Sequence, residues 1–309
     1  MRVEILGSAA GGGFPQWNCN CRNCSSLRAG TLRAKSRTQT QVAVSNDGHE
    51  WFLLNASPDL RLQIEHTAHL QPQTAIRHSP ISGVLLTSAD IDQIAGLLSL
   101  RELQPFTVYC TPSLRRILRE DNSMFGMLNR VSQQVCWRDV NVGSSFPLIT
   151  RAGEESGISC EAISLGSKYP VYVSPERAGE LSPQEALLGL MMTGSSGKRV
   201  AYMPAVPKVD EQLVQMLDAA DLLLFDGTFW SEDELIKLQG SGASAKEMGH
   251  VPVSGPEGSL RRLINVQRPR KVYIHVNNTN PMLDESSAEY REVRKAGWEI
   301  AEDGWQFNL

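Results

Sequence analysis

Short apolar stretches with β-branched content recur at residues 3–6, 41–44, 51–55, 83–87, 106–109, 160–165, 186–193, 200–203, 222–226 and 271–276. Most are followed by polar or Gly-rich turns, and each predicts a strand. Helix-period stretches fall between some of them: 94–102 after the strand at 83–87, then 113–120, 209–219 before the strand at 222–226, and 258–265 before the strand at 271–276. So many strands, alternating so irregularly with helices, do not suit one doubly wound sheet. Two packed sheets with helices outside accommodate both hairpins and helical crossovers, so the expected class is α/β, a β-sandwich flanked by helices. No repeat or low-complexity linker breaks the 309 residues, and a single domain over 1–309 is expected. The stretch 153–183, with Gly, Ser and Pro among charges, is the least regular and reads as an insertion or a long active-site loop.

Composition narrows the function classes. With 41% hydrophobic and 21% charged residues the chain has ordinary globular content, and 30 Lys+Arg against 34 Asp+Glu leave a formal charge of -4. No global basic field exists to hold a nucleic-acid backbone, so no nucleic-acid partner is expected. No run approaches the roughly 18–20 apolar residues needed to span a bilayer, so no membrane insertion is expected. The start, Met1-Arg2-Val3-Glu4-Ile5-Leu6-Gly7, lacks a signal-peptide layout, which predicts a cytoplasmic protein.

In a reducing compartment the crowding of Cys19, Cys21 and Cys24 favours a metal over disulfides. Three thiolates at C-x-C-x2-C spacing can hold a structural zinc and fix a small Cys-rich loop at 17–26. The same charge on the ion would weaken it as a Lewis acid, so a catalytic role for that zinc is not expected. Its fourth ligand is sought in the strand-end loop around Asn277-Asn278. The preceding Gly7-Ser8-Ala9-Ala10-Gly11-Gly12-Gly13 fits neither phosphate-loop nor dinucleotide spacing, and close backbone packing beside a site is the better account.

Carboxylates and imidazoles stand at strand ends. Asp90 and Asp92 follow the strand at 83–87 and open a helix, where they can either ligate a cation or cap the free N–H groups. Asp226 closes the strand at 222–226, His250 lies in a loop leading to a helix, and His275 ends the strand at 271–276. Together they could supply two imidazoles and several carboxylates to a non-haem iron or zinc site. His49, His66, His69 and His78 lie in polar stretches and read as solvated.

This order of Gly-rich loop, strand-end Asp-x-Asp, late Asp226, then His250 and His275 resembles the metallo-β-lactamase fold. The runs Leu6–Cys21, Asn55-Ala56-Ser57-Pro58-Asp59, Leu97–Glu102, Phe225-Asp226-Gly227-Thr228, Met248-Gly249-His250 and Ile274-His275-Val276-Asn277-Asn278-Thr279-Asn280-Pro281 narrow the match. They resemble the pyrroloquinoline quinone (PQQ) biosynthesis protein B family over the whole chain. The resemblance implies a four-layer αββα sandwich and a part in making PQQ from a precursor peptide whose Glu and Tyr have been cross-linked. It further implies an iron-dependent hydroxylase acting on the tyrosine ring of a small-molecule Glu–Tyr-derived intermediate, with other PQQ-pathway proteins as partners. The alternative it offers is a non-catalytic carrier of PQQ or its precursor towards the periplasm.

Two departures bear on the chemistry. The first motif of the fold reads Ser88-Ala89-Asp90-Ile91-Asp92-Gln93, with Gln93 where the family usually retains a His, and no His falls near 165–170. A dinuclear hydrolytic site is thereby disfavoured, and the expectation is a single catalytic Fe2+ on Asp92, His250 and His275, converging on one pocket, with Asp226 or Asp90 as further ligands. Basic and amide side chains would orient the carboxylates and ammonium groups of such a substrate, and Arg37, Gln39 and Arg101 are the candidates, with a surface Arg or a helix ion pair the alternative for each.

Overall fold

The apolar runs do become strands in the computed structural model, which describes residues 1–309. In chain order they are β1 (Arg2–Gly7), β2 (Gln41–Ser45), β3 (Trp51–Leu54), β4 (Ile81–Leu85), β5 (Phe106–Cys110), β6 (Val135–Asp139), β7 (Ser145–Ile149), β8 (Glu155–Gly166), β9 (Leu187–Thr193), β10 (Arg199–Met203), β11 (Leu222–Asp226), β12 (Arg270–Ile274), β13 (Trp298–Ile300) and β14 (Trp305–Asn308). The α-helices are α1 (Arg22–Arg28), α2 (Leu60–His66), α3 (Ile91–Ile94), α4 (Pro112–Arg119), α5 (Pro175–Gly179), α6 (Glu211–Asp218), α7 (Glu234–Gln239), α8 (Ser259–Arg262) and α9 (Ala288–Lys295). The strands form two seven-stranded mixed sheets. The chain divides into two compact units, one made of 1–6, 41–198 and 304–309, the other of 7–40 and 199–303.

The first unit holds a sheet in the order β14-β1-β2-β3-β4-β5-β6, parallel from β3 to β6, together with the antiparallel strands β7, β8 and β9. Its core is built by Leu53, Val84 and Val108 from the sheet and Leu114, Ile117 and Leu118 from α4. α4 starts at Pro112, where a missing N–H costs nothing, and Thr111 Oγ1 accepts from Leu114 N at 3.4 Å.

Two expectations change here. The stretch 153–183, read as a loop or insertion, contains β8, the twelve-residue strand that pairs with both β7 and β9. Its outward positions are polar and only alternate residues such as Ile158, Cys160 and Ala162 are buried, so the apolar signal was halved. The helix expected at 94–102 is α3 followed by a tighter 3₁₀ run over Ala95–Arg101. The cause is Gly96, which packs so closely that a Cβ there would sit on the Ser57 carbonyl oxygen. Gly96 N also donates to Ala56 O at 2.8 Å.

The second unit carries four parallel strands, β10-β11-β12-β13. β11 is buried along its whole length, which is why it reads as a continuous apolar run rather than an alternation. The chain crosses over through α6 between β10 and β11, through α7 and α8 between β11 and β12, and through α9 between β12 and β13. Register sets the site: Asp226 pairs with Ile274, so the C-terminal ends of β11 and β12 lie side by side, and the residues that follow both strands meet. The Gly-rich loop lies against the segment after β12, with Ala10 N on Val276 O at 2.9 Å and Val276 N on Ser8 O at 3.0 Å. Gly12 and Gly13 turn this loop at φ 92° and 73°, in the left-handed region.

Candidate metal centres

Asp226, the last residue of β11, His275, the first after β12, and His250, from the loop beyond α7, offer one ligand atom each within 4.8 Å of one another. Asp226 is wholly buried, and His250 and His275 are 9% and 5% exposed. The imidazoles stack with centroids 5.3 Å apart, and the ring of Phe229 meets His250 edge-on at 5.9 Å. His275 has φ 55°, in the left-handed region that an L side chain seldom adopts. Such backbone strain concentrates where a side chain must be aimed.

The Asp226 carboxylate accepts from four donors. Oδ2 takes Val206 N and His250 Nδ1, both at 2.8 Å, while Oδ1 takes Thr228 N at 3.0 Å and Thr228 Oγ1 at 2.6 Å. Burial opposes its ionisation, but the adjoining His250 and His275 and these hydrogen bonds outweigh it and hold the carboxyl below the usual carboxylate range. Thr228 Oγ1 also lies 3.1 Å from His250 Nδ1 and 2.8 Å from His275 Nδ1. One proton pattern satisfies all of these contacts: Thr228 donates to Asp226, and both imidazoles carry hydrogen on Nδ1. In a neutral imidazole with hydrogen on Nδ1, it is Nε2 that carries the lone pair able to bind a metal. Thr228 was not among the residues singled out from sequence, because a lone hydroxyl carries no signal until folding brings Asp226, His250 and His275 around it.

The second cluster is Cys19, Cys21 and Cys24, whose Sγ atoms also lie within 4.8 Å of one another. Cys21 caps α1, its Sγ accepting from Cys24 N at 3.5 Å, and Cys19 Sγ accepts from Cys21 N at 3.4 Å. Arg28 reaches back to the carbonyls of Cys19, at 2.6 Å, and Gln16, closing the loop. The side-chain amide of Asn278 points into the cluster, with Nδ2 at 3.1 Å from Cys19 Sγ, 3.7 Å from Cys21 Sγ and 3.3 Å from Cys24 Sγ. Turning that amide end for end would present its oxygen to an ion. Burial resists thiol ionisation at Cys19 and at Cys21. At Cys19 the donors from Cys21 N–H and Asn278 prevail and hold the pKa below the ordinary thiol value, whereas at Cys21 burial prevails and pushes it up to about 11. Three soft sulfur donors and an amide oxygen make a set that suits zinc, and two imidazoles backed by a carboxylate suit a divalent ion such as iron(II) or zinc.

The other residues proposed from sequence lie as follows. Asp90 and Asp92 belong to the first unit, at the N-terminus of α3, where Asp90 accepts from Ser88 Oγ at 2.9 Å and does not cap the helix with its side chain. Gln93 is buried beside them, its side-chain oxygen taken by Asn55 Nδ2. Arg37 is buried in the second unit, with Nε on Ala301 O at 3.1 Å and Nη1 on Lys35 O at 2.8 Å, so its guanidinium holds backbone. Gln39 Oε1 accepts from Gly12 N at 3.0 Å, and Arg101 is exposed and paired with Glu102. Of the histidines read as solvated, His69 is not: it stacks on Trp51 at 4.2 Å and reaches Glu4 at 2.7 Å.

Two mixed sheets with flanking helices and a strand-end Asp–His–His cluster define a protein of the metallo-β-lactamase fold, and residues 50–276 match the beta-lactamase superfamily domain. Comparison with curated proteins goes further: the chain belongs to the coenzyme PQQ synthesis protein B family. It is 41% identical over 309 residues to Coenzyme PQQ synthesis protein B of Methylorubrum extorquens (strain PA1), and 42% identical to that of Pseudomonas entomophila (strain L48), covering 100% of both chains each time. The solved structure of Zn(2+)-bound PqqB from Methylobacterium extorquens superposes with a TM-score of 0.91 at 40% identity, covering all of both chains. A diphosphatase of the PhnP family, 18% identical with a TM-score of 0.67 over 100% of this chain and 97% of its own, shares the fold.

Proposed function

We propose that this chain is a metal-dependent hydroxylase of PQQ biosynthesis, acting on the tyrosine ring of a small Glu–Tyr-derived intermediate. Its place in PQQ synthesis comes with the family. The observation that carries the rest is the buried cluster of Asp226, His250 and His275, a carboxylate with two imidazoles whose Nε2 atoms are ligand-capable. Iron(II) held by the two imidazoles, with Asp226 behind them, would supply the binding and activation of dioxygen, since so few protein ligands leave coordination positions open.

The residues around it have defined tasks. Asp226 and Thr228 fix the tautomer of both imidazoles, and Phe229 closes one side of His250 against water. Phe229 also lines a cleft of about 680 Å³ with Met248, Leu235 and Asn277, large enough for a dipeptide-sized ligand. The Cys19, Cys21 and Cys24 cluster, with Asn278 as fourth ligand, holds a structural zinc. A carrier of PQQ would leave the oriented imidazoles without a chemical task.

The test is anaerobic loading of the purified chain with iron(II), metal analysis, then dioxygen and a synthetic Glu–Tyr-type substrate followed by mass spectrometry. The expected result is about one iron and one zinc per chain, with oxygenated product that disappears in His275→Ala. Asp92→Asn, run in parallel, shows whether the carboxylate expected from sequence contributes to iron retention. Zinc alone, with tight binding of PQQ and no oxygenated product, would replace the hydroxylase by the carrier.

A further inference from the structure

The two clusters share one short segment of chain. Between His275 and Asn278 stand only Val276 and Asn277, and nearly every polar group of the segment 275–280 is engaged. Asn277 N donates to Thr228 O at 3.0 Å, and Asn280 Nδ2 donates to Gly227 O at 3.0 Å and Thr228 O at 3.3 Å. Thr228 therefore faces both ways: its carbonyl holds this segment, and its hydroxyl lies against Asp226, His250 and His275. At the far end, Asn23 Nδ2 donates to Asn278 O at 3.1 Å and to Asn280 O at 2.9 Å. Asn23 sits in α1 between two of the cysteines and is itself buried, while the Asn278 amide reaches all three sulfurs.

We propose that the ion bound by the cysteines sets the geometry of the histidine centre, with Asn23 and Asn278 as positioning residues that transmit it. The inference rests on the reading that both clusters hold metals. An ion on the three sulfurs pins Asn278 and the first turn of α1, and Asn23 then clamps the carbonyls of Asn278 and Asn280. That clamp fixes the Thr228 carbonyl and the strained backbone of His275, and so the spacing of the two imidazoles. With the cysteine site empty the segment loses its anchor, and the φ 55° conformation of His275 has less to hold it. Because coupling between two binding equilibria is reciprocal, metal at the histidines must tighten zinc at the cysteines by the same factor.

The test uses the full chain and Co2+ as probe for the histidine centre, read by its d–d absorption and by the isotherm. Cys21→Ser/Cys24→Ser removes the zinc, and absence of a sulfur-to-cobalt charge-transfer band confirms that cobalt reports only on the histidines. The expected result is roughly tenfold weaker Co2+ binding than in the zinc-loaded parent chain, with an altered d–d spectrum. Asn23→Ala removes no ligand of either ion, only the hydrogen bonds to the Asn278 and Asn280 carbonyls, and should keep one zinc per chain while still weakening Co2+ binding several-fold and shifting the same bands. If the double variant fails to fold by circular dichroism, the Asn23→Ala result decides. Superimposable isotherms and spectra in Asn23→Ala and the parent chain overturn the coupling while leaving two independent metal sites. Absence of zinc from the parent chain, or cobalt binding indifferent to His250→Ala, overturns the two-metal reading and the coupling with it.

Discussion

At the scale of single residues, the carboxyl of Glu234 makes the sharpest prediction. Burial raises its pKa from 4.5 to about 7 against the opposing hydrogen bonds from Thr279, at 2.5 Å, and Trp230 N, also at 2.5 Å. The folded chain thus holds this proton more tightly than the unfolded chain does. The contribution to stability is full below pH 4.5 and is lost as the pH rises to about 7. Glu234→Gln imitates the protonated group, and the Thr279 hydroxyl can turn to accept from the new amide. Urea titrations should find the variant close to the parent chain at pH 4.5 and more stable at pH 8 by roughly 1–3 kcal/mol. Equal stability at both pH values would place the Glu234 carboxylate in water. His275 makes a second prediction. Both His275→Ala and His275→Gly remove the imidazole, but only glycine relieves φ 55°, so the glycine variant should be the more stable of the two by about 1 kcal/mol in the same titration.

At the scale of elements, Gly96 shows what a short motif can encode. A methyl group there would meet the Ser57 carbonyl and the backbone of Ala56, none of which can retreat like the end of a flexible side chain. Gly96→Ala should cost roughly 2–4 kcal/mol, read from the denaturation midpoint, whereas Gly126→Ala, with nothing within 4 Å, should change it by less than about 0.5 kcal/mol. The same packing explains where the sequence misled. Gly96 sits inside a helix-period apolar pattern, and periodicity carries no information about a backbone 40 residues earlier in the chain. Buried strands such as β11 were legible because every position is apolar, and β11 was predicted at its observed bounds. β6, β7 and β14 were not, since these strands are largely exposed and their mixed residues resemble loops, and β13, though buried at Trp298 and Ile300, is only three residues long and too short to show a period. The cysteines and both site histidines were legible as residue types whose spacing or strand-end place carries chemistry. Thr228 and Asn23 were not, because a hydroxyl or an amide gains its meaning only from partners brought near by folding.

At the scale of the whole molecule, the ends of the chain are neighbours within the first unit. β1 pairs with β14 over Arg2↔Asn308, Val3↔Phe307, Glu4↔Gln306 and Ile5↔Trp305, and the Met1 amino group donates to Leu309 O at 2.6 Å. β14 is an edge strand, and its one well-buried side chain, Phe307, anchors it while Gln306 and Asn308 face outward. Without it, β1 would become the edge, presenting the apolar run Ile5-Leu6 with unpaired N–H and C=O groups to other copies. Removal of 305–309 should therefore leave an unpaired edge that promotes association. Light scattering during refolding should rise with protein concentration, as exposed edges pair between molecules. Phe307→Ala keeps the strand but empties its anchor, so it should cost roughly 3–5 kcal/mol without that concentration dependence. The pairing joins residues about 300 apart, and the entropy of closing so long a loop must be met before the contact stabilises anything. Closure of β1 on β14 should consequently be a late event in folding: Phe307→Ala should leave the refolding rate nearly unchanged and appear in the unfolding rate, and a matching slowdown in refolding would place this strand in the nucleus instead.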